Sequence, residues 1–366
     1  MKKLVIDARQ SGETTGRYID KLIEYLYKLN PPYEITVITK PHREEYFKTI
    51  APKFKVVTAN FKEFTFDEQI AFKKQIESLH PDLVHFGMVQ QPIRYKGKVV
   101  TTMHDLTTLQ FRFLNPAKNR AILKAKQVVY ARVNKTVARK SLAIFTPSKY
   151  VKDDVVNYTH IKPDKITVTY ESADKIQDKP EVVPTSKGKR FIMYIGRPLP
   201  HKNLPRLIEA FGIIKTTDPD LVLVLAGKKD ILYSRVEEDV KTKSVDNIVF
   251  TGFVSEGQLR WLYENCQAYV FPSLSEGFGL PGVEAMIHGA PVVSSNYTCL
   301  PEVFGEAAEY FDPMSVEDMA SAIKRVINDE TLRKKLITAG YKQVSKYSWE
   351  RMTKQTLAVY KTILGE

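Results

Sequence analysis

Short runs of β-branched and aromatic residues alternate with longer amphipathic stretches from the start of the chain. Leu4–Asp7, Ile35–Ile38, Phe54–Val57, Leu83–Phe86, Val99–Met103 and Leu142–Phe145 make the first set. Apolar runs this short, spaced by segments of helical periodicity, predict buried parallel strands joined by helical crossovers. The pattern lapses after Lys175 into KIQDKPEVVPTSKGK, rich in Pro, Lys and polar residues. It resumes at Phe191–Ile195, Leu221–Leu225, Asn247–Phe250, Ala268–Phe271 and Pro291–Ser294, and Tyr347 to Leu364 closes the chain with helix-like spacing. The expectation is an α/β protein of two Rossmann-like domains: residues 1–175, a linker over 176–189, a second domain over 190–346, and a closing helix over 347–366. A chain of 366 residues suits two cores of ordinary size.

One amphipathic stretch departs from the rest. Between Leu114 and Lys140 stand eight basic residues, among them Lys118, Arg120, Lys124 and Lys126, and no acidic one. Ile122, Ala125, Val129, Val133 and Val137 recur at helical spacing. That stripe reads as the face packed on a sheet or as one inserted at a membrane interface, and the basic face suits anionic lipid in either case. The charge of the whole chain follows the same division. Residues 1–180 hold 32 Lys+Arg against 19 Asp+Glu, an excess of 13, while residues 181–366 hold 23 of each. A basic face serves nucleic acid, an anionic membrane or an acidic substrate, or only solubility, and sign alone does not choose. No RNA-binding signature accompanies it, so no nucleic acid is expected.

The two cysteines, Cys266 and Cys299, and the early charges of MKKLVIDARQ point to a reducing, cytoplasmic setting without a signal peptide. No run approaches the roughly 18 apolar residues of a membrane span, so bilayer contact would be peripheral. The Asn-x-Thr triplets at Asn134, Asn157 and Asn296 are then coincidental. The histidines show no metal-ligand spacing, and the one D-x-D-like triplet, Asp218-Pro-Asp220, precedes a strand, so no metal is expected.

Ligands of doubly wound sheets sit beyond the carboxyl ends of the strands, which makes the residues after each run the ones to inspect. After Ala268–Phe271 comes Ser275-Glu-Gly-Phe-Gly-Leu-Pro-Gly-Val-Glu284, a Gly-rich turn opening a helix. Gly277, Gly279 and Gly282 would let backbone approach a ligand, and the helix amides suit diphosphate or hydroxyl oxygens. Glu284, in a helix among apolar neighbours, is expensive to bury unless it accepts hydrogen bonds, which a ribose diol supplies. Taken alone, Glu276 and Glu284 would be two solvated carboxylates. After Phe191–Ile195 stand Arg197 and Lys202, where a dinucleotide-binding domain would carry its glycine fingerprint, and two cations there call for an anionic ligand.

Glu276, Gly277, Phe278, Gly279, Leu280, Pro281 and Glu284 resemble the paired-glutamate motif of retaining glycosyltransferase family 4. The likeness extends to Gly196-Arg-Pro-Leu-Pro-His-Lys-Asn203, Thr251-Gly-Phe-Val254, Leu300-Pro-Glu-Val303 and Asp312-Pro313, and so covers the second half almost continuously. In the first half it rests on Asp7-Ala-Arg9, Gly16-Arg-Tyr18 and His104-Asp-Leu106, with Thr14-Thr15-Gly16 where the family usually carries two close glycines. The resemblance implies the GT-B fold, two facing Rossmann-like domains with a closing helix that returns to the first. It implies a hexosyltransferase, metal-independent and without cofactor, that takes a nucleotide-sugar, weakly favoured as GDP-mannose, to a glycan or lipid-linked acceptor with retention. It further implies catalytic roles for His104, Arg197, Lys202 and Glu276. Donor contacts would come from Gly16, Gly196, Phe253, Val254, Gly277, Phe278, Gly279, Leu280 and Glu284. A nucleotide-sugar epimerase on the same fold and a non-catalytic nucleotide-sugar or nucleic-acid binding protein are the competing readings.

Overall fold

A computed structural model describes residues 1–13, 15–61, 65–111 and 120–366, with side chains described for all of these except 120–125. Contacts divide the chain into two compact units, residues 1–171 with 348–366, and residues 172–347.

The first unit is built on a seven-stranded sheet in the order β3-β2-β1-β4-β5-β6-β7, every pair parallel. The strands are β1 (Lys2–Asp7), β2 (Tyr33–Thr39), β3 (Lys55–Thr58), β4 (Leu83–Phe86), β5 (Val99–Thr102), β6 (Ala143–Thr146) and β7 (Ile166–Val168). Burial on both faces explains why these runs are continuous rather than alternating. The closing helix Trp349–Leu364 packs on the helix Gly16–Leu29 of this unit and buries Trp349, Met352, Thr356 and Tyr360. Tyr360 hydrogen-bonds the buried His85 ring through Nδ1, and Thr102 Oγ1 lies 2.8 Å from its Nε2.

The second unit carries a six-stranded parallel sheet, β10-β9-β8-β11-β12-β13. Its strands are β8 (Phe191–Ile195), β9 (Val222–Ala226), β10 (Ile248–Gly252), β11 (Ala268–Phe271), β12 (Val292–Ser295) and β13 (Ala308–Phe311). The helices Leu204–Lys215 and Val316–Asn328 cover one face with Leu207, Phe211, Met319 and Ile323, all essentially inaccessible. The segment 176–189 is strapped to this unit: Ile176 N donates to His288 Nε2 at 3.0 Å, Glu181 N to the Gly257 carbonyl at 3.0 Å, and Val183 is buried. In each sheet the strand order reverses once, at β1/β4 and at β8/β11, and these are the crevices where a parallel sheet opens beyond its carboxyl ends.

The basic stretch forms the helix Arg120–Lys140. Of the expected apolar stripe Val137 is buried and Val133 half-buried, whereas Val129 is more than half exposed and Ile122 and Ala125 lie outside the described side chains. Asn134 and Ala138 are buried beside Val137, so among the described side chains the packed face is set by the C-terminal turns. Lys126 is exposed, while Lys118 and the side chains of Arg120, Ile122, Lys124 and Ala125 lie outside the described residues. Among the described residues no helix is long and apolar enough to cross a membrane.

Candidate functional site

In the second unit the carboxyl edge of the sheet is laced by backbone bonds, Gly196 N to the Ala226 carbonyl and Gly227 N to the Gly252 carbonyl. Beyond it, two loops from adjacent strands β8 and β11 are joined. Asn203, in the left-handed region with φ 59°, is buried and donates from Nδ2 to the carbonyls of Pro272 (3.1 Å) and Pro313 (2.8 Å). Leu274 N donates to the His201 carbonyl at 2.7 Å. Asn tolerates that backbone conformation better than other non-glycine residues, which is a local reason for the tight turn ending the Pro200–Lys202 helix.

This welding brings Lys202 Nζ to 2.5 Å from Glu276 Oε1, although 74 residues separate them. Glu276 is fixed in turn: its N–H donates to Thr298 Oγ1 at 3.2 Å, and its carbonyl accepts from Cys299 Sγ at 3.3 Å. Arg197, on the same edge, is 63% exposed and donates from Nε to Asp230 at 3.0 Å. Asp230 also caps the helix Ile231–Lys243 through the N–H groups of Leu232 and Tyr233. Burial raises the Asp230 carboxyl, but those two N–H groups and Arg197 outweigh it and leave its pKa lowered. The Tyr233 hydroxyl lies 2.7 Å from the Gly196 carbonyl, fixing the start of the Arg197 loop.

The Gly-rich turn has a packing reason beside any ligand role. Gly279 has φ +90°, and a Cβ there would stand 2.8 Å from Leu300 Cδ2, while one at Gly282 would stand 2.2 Å from Phe304 Cζ. The backbone approach required at Gly282 is therefore to the Phe304 ring. Phe278 is 4% exposed and sits edge-to-face on Tyr347, so its ring belongs to the core of this unit. Glu284 is half-buried in the helix Leu280–Ile287. Phe253, following β10, is a large apolar side chain left 81% exposed, and Val254 beside it is half-buried.

In the first unit His104 follows β5. Nε2 lies 3.0 Å from the Gly87 carbonyl and Nδ1 3.3 Å from Glu171 Oε1, with Tyr18 edge-on at 5.1 Å. Burial pulls the imidazolium pKa down, yet the hydrogen bond and charge of Glu171, helped by the Gly87 carbonyl and Asp105, outweigh it and raise the pKa. Both ring nitrogens lie near acceptors, an arrangement that favours the protonated ring. Gly16 opens the helix after β1, where a Cβ would meet the Gln10 carbonyl at 2.2 Å. Asp7 and Arg9 of the same motif form a buried ion pair that also holds Glu68, with the guanidinium 3.9 Å over the Phe72 ring. Sequence reasoning missed Glu171, Asp230, Thr298 and the anchoring role of Asn203. Among the described residues no three His, Cys, Asp or Glu side chains gather as metal ligands.

The model of "Glycosyl transferases group 1" matches residues 175–343 and that of "Glycosyltransferase Family 4" matches residues 15–175. The O-antigen chain mannosyltransferase B of Escherichia coli is 30% identical over 279 residues, spanning 73% of this chain and 71% of that protein. The chain belongs to the family 4 glycosyltransferases. Sucrose-phosphate synthase from Thermosynechococcus elongatus superposes with a TM-score of 0.79 at 17% identity over all of both chains. Anabaena Alr3699/HepE, solved in complex with UDP, gives 0.72 at 17% identity over 99% of this chain and 100% of that one. This glycosyltransferase therefore has the GT-B fold, and it is an enzyme by family.

Proposed function

We propose that this glycosyltransferase moves a hexosyl group, mannosyl from GDP-mannose before others, to a glycan or lipid-linked acceptor with retention and without a metal. The observation that carries the reading is the meeting of Lys202 with Glu276 beyond the β8/β11 crevice, since it unites two motif residues that no local packing requires. The mannosyl preference is supported by the E. coli relative, and the nucleotide-sugar by the UDP complex of the Anabaena protein. In this reading the diphosphate lies against Arg197 and Lys202, the ribose on Glu284, and the base against Phe253 and Val254. Gly196, Gly277, Gly279 and Leu280 offer backbone, as does Phe278; on the first unit, Gly16 and His104 are the residues proposed for the sugar-nucleotide reaction.

As the bond from the anomeric carbon to the diphosphate oxygen breaks, negative charge grows on the leaving group, and two cations stabilise it more in the transition state than before it. The acceptor oxygen bonds the anomeric carbon on the same face, and its proton passes to the departing phosphate oxygen. His104, held by Gly87 and Glu171, is proposed to face the sugar as a hydrogen-bonding group rather than as a base. We propose that the basic first half meets the acceptor or an anionic membrane, through Lys126 and its neighbours Lys118, Arg120 and Lys124. Calorimetric titration with UDP-, GDP- and ADP-sugars tests the donor: micromolar binding of GDP-mannose alone is expected, and binding of only another sugar nucleotide refutes the mannosyl reading. The anomeric configuration of the product, read by NMR, tests retention.

A further inference from the structure

Two concavities of the first unit lie away from these residues, at the opposite end of the strands. The first, about 860 Å³, is lined by Lys73, Arg94, Lys96, Lys98 and Lys140 around Tyr95. The second, about 620 Å³, is lined by Arg139, Lys162 and Lys165 with His160 and one acid, Asp164. Both include Leu142, which is 49% exposed, so the two adjoin at that residue and are taken together as a basic trough. Its place follows from chain order: Lys98 immediately precedes β5, Leu142 precedes β6 and Lys165 precedes β7. The length of β5, roughly 13 Å at ~3.3 Å per residue, separates this amino edge from the His104 edge.

The cations here are not all accounted for by the fold. Lys165 Nζ donates to the Arg139 carbonyl at 2.6 Å and Lys98 Nζ to the Ile363 carbonyl at 2.9 Å, which are helix-end contacts. Lys73 pairs with Glu77 at 3.5 Å. Among the described residues Arg94 and Lys96 are exposed with no carboxylate within 4 Å, and half-buried Lys140 has none either. Lys140 reaches only the Pro92 and Ile93 carbonyls, each at 3.4 Å, and burial pulls its ammonium down to about 8. Cations outnumbering the acids in a concave wall focus a positive potential, and a multiply charged anion relieves the repulsion at several points.

We propose that this amino-edge trough is a binding site for a phosphate-bearing polyanion, separate from the donor site and independent of the transfer reaction. Phosphate fits better than carboxylate because Arg94 offers a planar fork while the lysines offer point charges around it. Such phosphates come either from a lipid headgroup or from a free polyphosphate, and one experiment separates them. The full-length protein is titrated with tripolyphosphate and sedimented with phosphatidylglycerol and phosphatidylcholine vesicles at low salt. A trough variant, Arg94→Glu with Lys96→Glu and Lys98→Glu, is compared with Lys53→Glu, Lys55→Glu and Lys241→Glu, which removes the same net charge from exposed sites elsewhere. The expected result is at least a tenfold loss in the trough variant alone, with binding fading as salt screens the charges. Loss for vesicles only assigns the site to a headgroup, and loss for tripolyphosphate as well assigns it to free phosphates. Equal loss in both variants, no binding by wild type, or binding of RNA without either probe overturns the proposal. Nucleoside diphosphate affinity unchanged within twofold shows that the trough variant is folded, and Arg94→Gln with Lys96→Gln serves where the reversal misfolds.

Discussion

Replacing Glu276 by Gln separates two roles that the structure combines. In the free protein Lys202, the proposed diphosphate ligand, is already engaged by Glu276 at 2.5 Å, with the side chains 17% and 12% exposed. Removing one partner of a buried pair costs about 3–5 kcal/mol, and the remaining exposure here lowers the expectation to about 2 kcal/mol. Part of that cost is the unneutralised charge of Lys202, which an incoming diphosphate would cover without first displacing a carboxylate. The variant should therefore be less stable when empty and bind nucleoside diphosphate more tightly, by about 1.4 kcal/mol or tenfold.

Turnover should fall in the same variant, because Glu276 is one of the residues to which the family resemblance gives a catalytic role. The assay is calorimetric titration with GDP and UDP, with thermal melts of the empty and saturated protein. Saturation should recover more melting temperature in Glu276→Gln than in wild type, as expected when a ligand binds the folded state alone. If Glu276→Gln weakens nucleoside diphosphate binding as much as Lys202→Ala does, the two side chains act as one ligand and the competition argued here is wrong.

Arg197→Ala and Lys202→Ala should each lower kcat more than they raise KM, because their charge matters most as the leaving group forms; undiminished kcat in both would remove them from the reaction. Glu284→Gln should weaken nucleotide binding by about 1.5–3 kcal/mol, the value of a hydrogen bond to a charged group, and an unchanged Kd refutes the ribose assignment. Activity should survive full chelation, and loss to EDTA with rescue by manganese would sink the metal-free reading. Glu171 raises the His104 pKa, so the pair stabilises the fold fully below about pH 6.5, the unfolded value, and ceases to do so as pH rises through the folded value. The Tm gap between wild type and Glu171→Gln should then be widest near pH 6 and shrink by pH 9, and a gap independent of pH would show that His104 is not the titrating partner.

Both sheets were legible because their central strands are buried on each face, leaving short, largely apolar runs. β7 and β13 were not, because β7 is three residues long and β13 carries a charge within its run. Thr167 and Val168 of β7 and Glu309 and Tyr310 of β13 are half-exposed, so the run is short or broken by charge. The helix Arg120–Lys140 was legible along the chain, and its expected face holds at Val137 and partly at Val133 but not at Val129, which is more than half exposed. At the site, Arg197, Lys202 and Glu276 were readable as charges after strands. What each touches was not, because Asp230, Thr298 and Glu171 carry no motif and are brought near by strand order alone.

That contrast bears on how far the chemistry of each half can be reasoned from residues. On the second unit the proposed ligand groups follow adjacent strands, and the backbone bonds at Gly196, Gly227 and Asn203 hold them whether or not a donor is bound. Preorganised charge of this kind suits a leaving diphosphate, whose form is the same whatever sugar it carries. On the first unit the fixed features are the His104 ring, locked by Gly87 and Glu171, and the buried Asp7–Arg9–Glu68 cluster, neither of which presents a free group to an acceptor. In the reading proposed above, acceptor choice rests on exposed side chains that the fold does not orient, and Lys126 fits that description. Donor-site substitutions should accordingly alter rate for every acceptor alike, while charge reversal at Lys126 should alter the ranking of acceptors with one donor Kd. A donor-site variant that reordered acceptors would place acceptor recognition on the second unit instead.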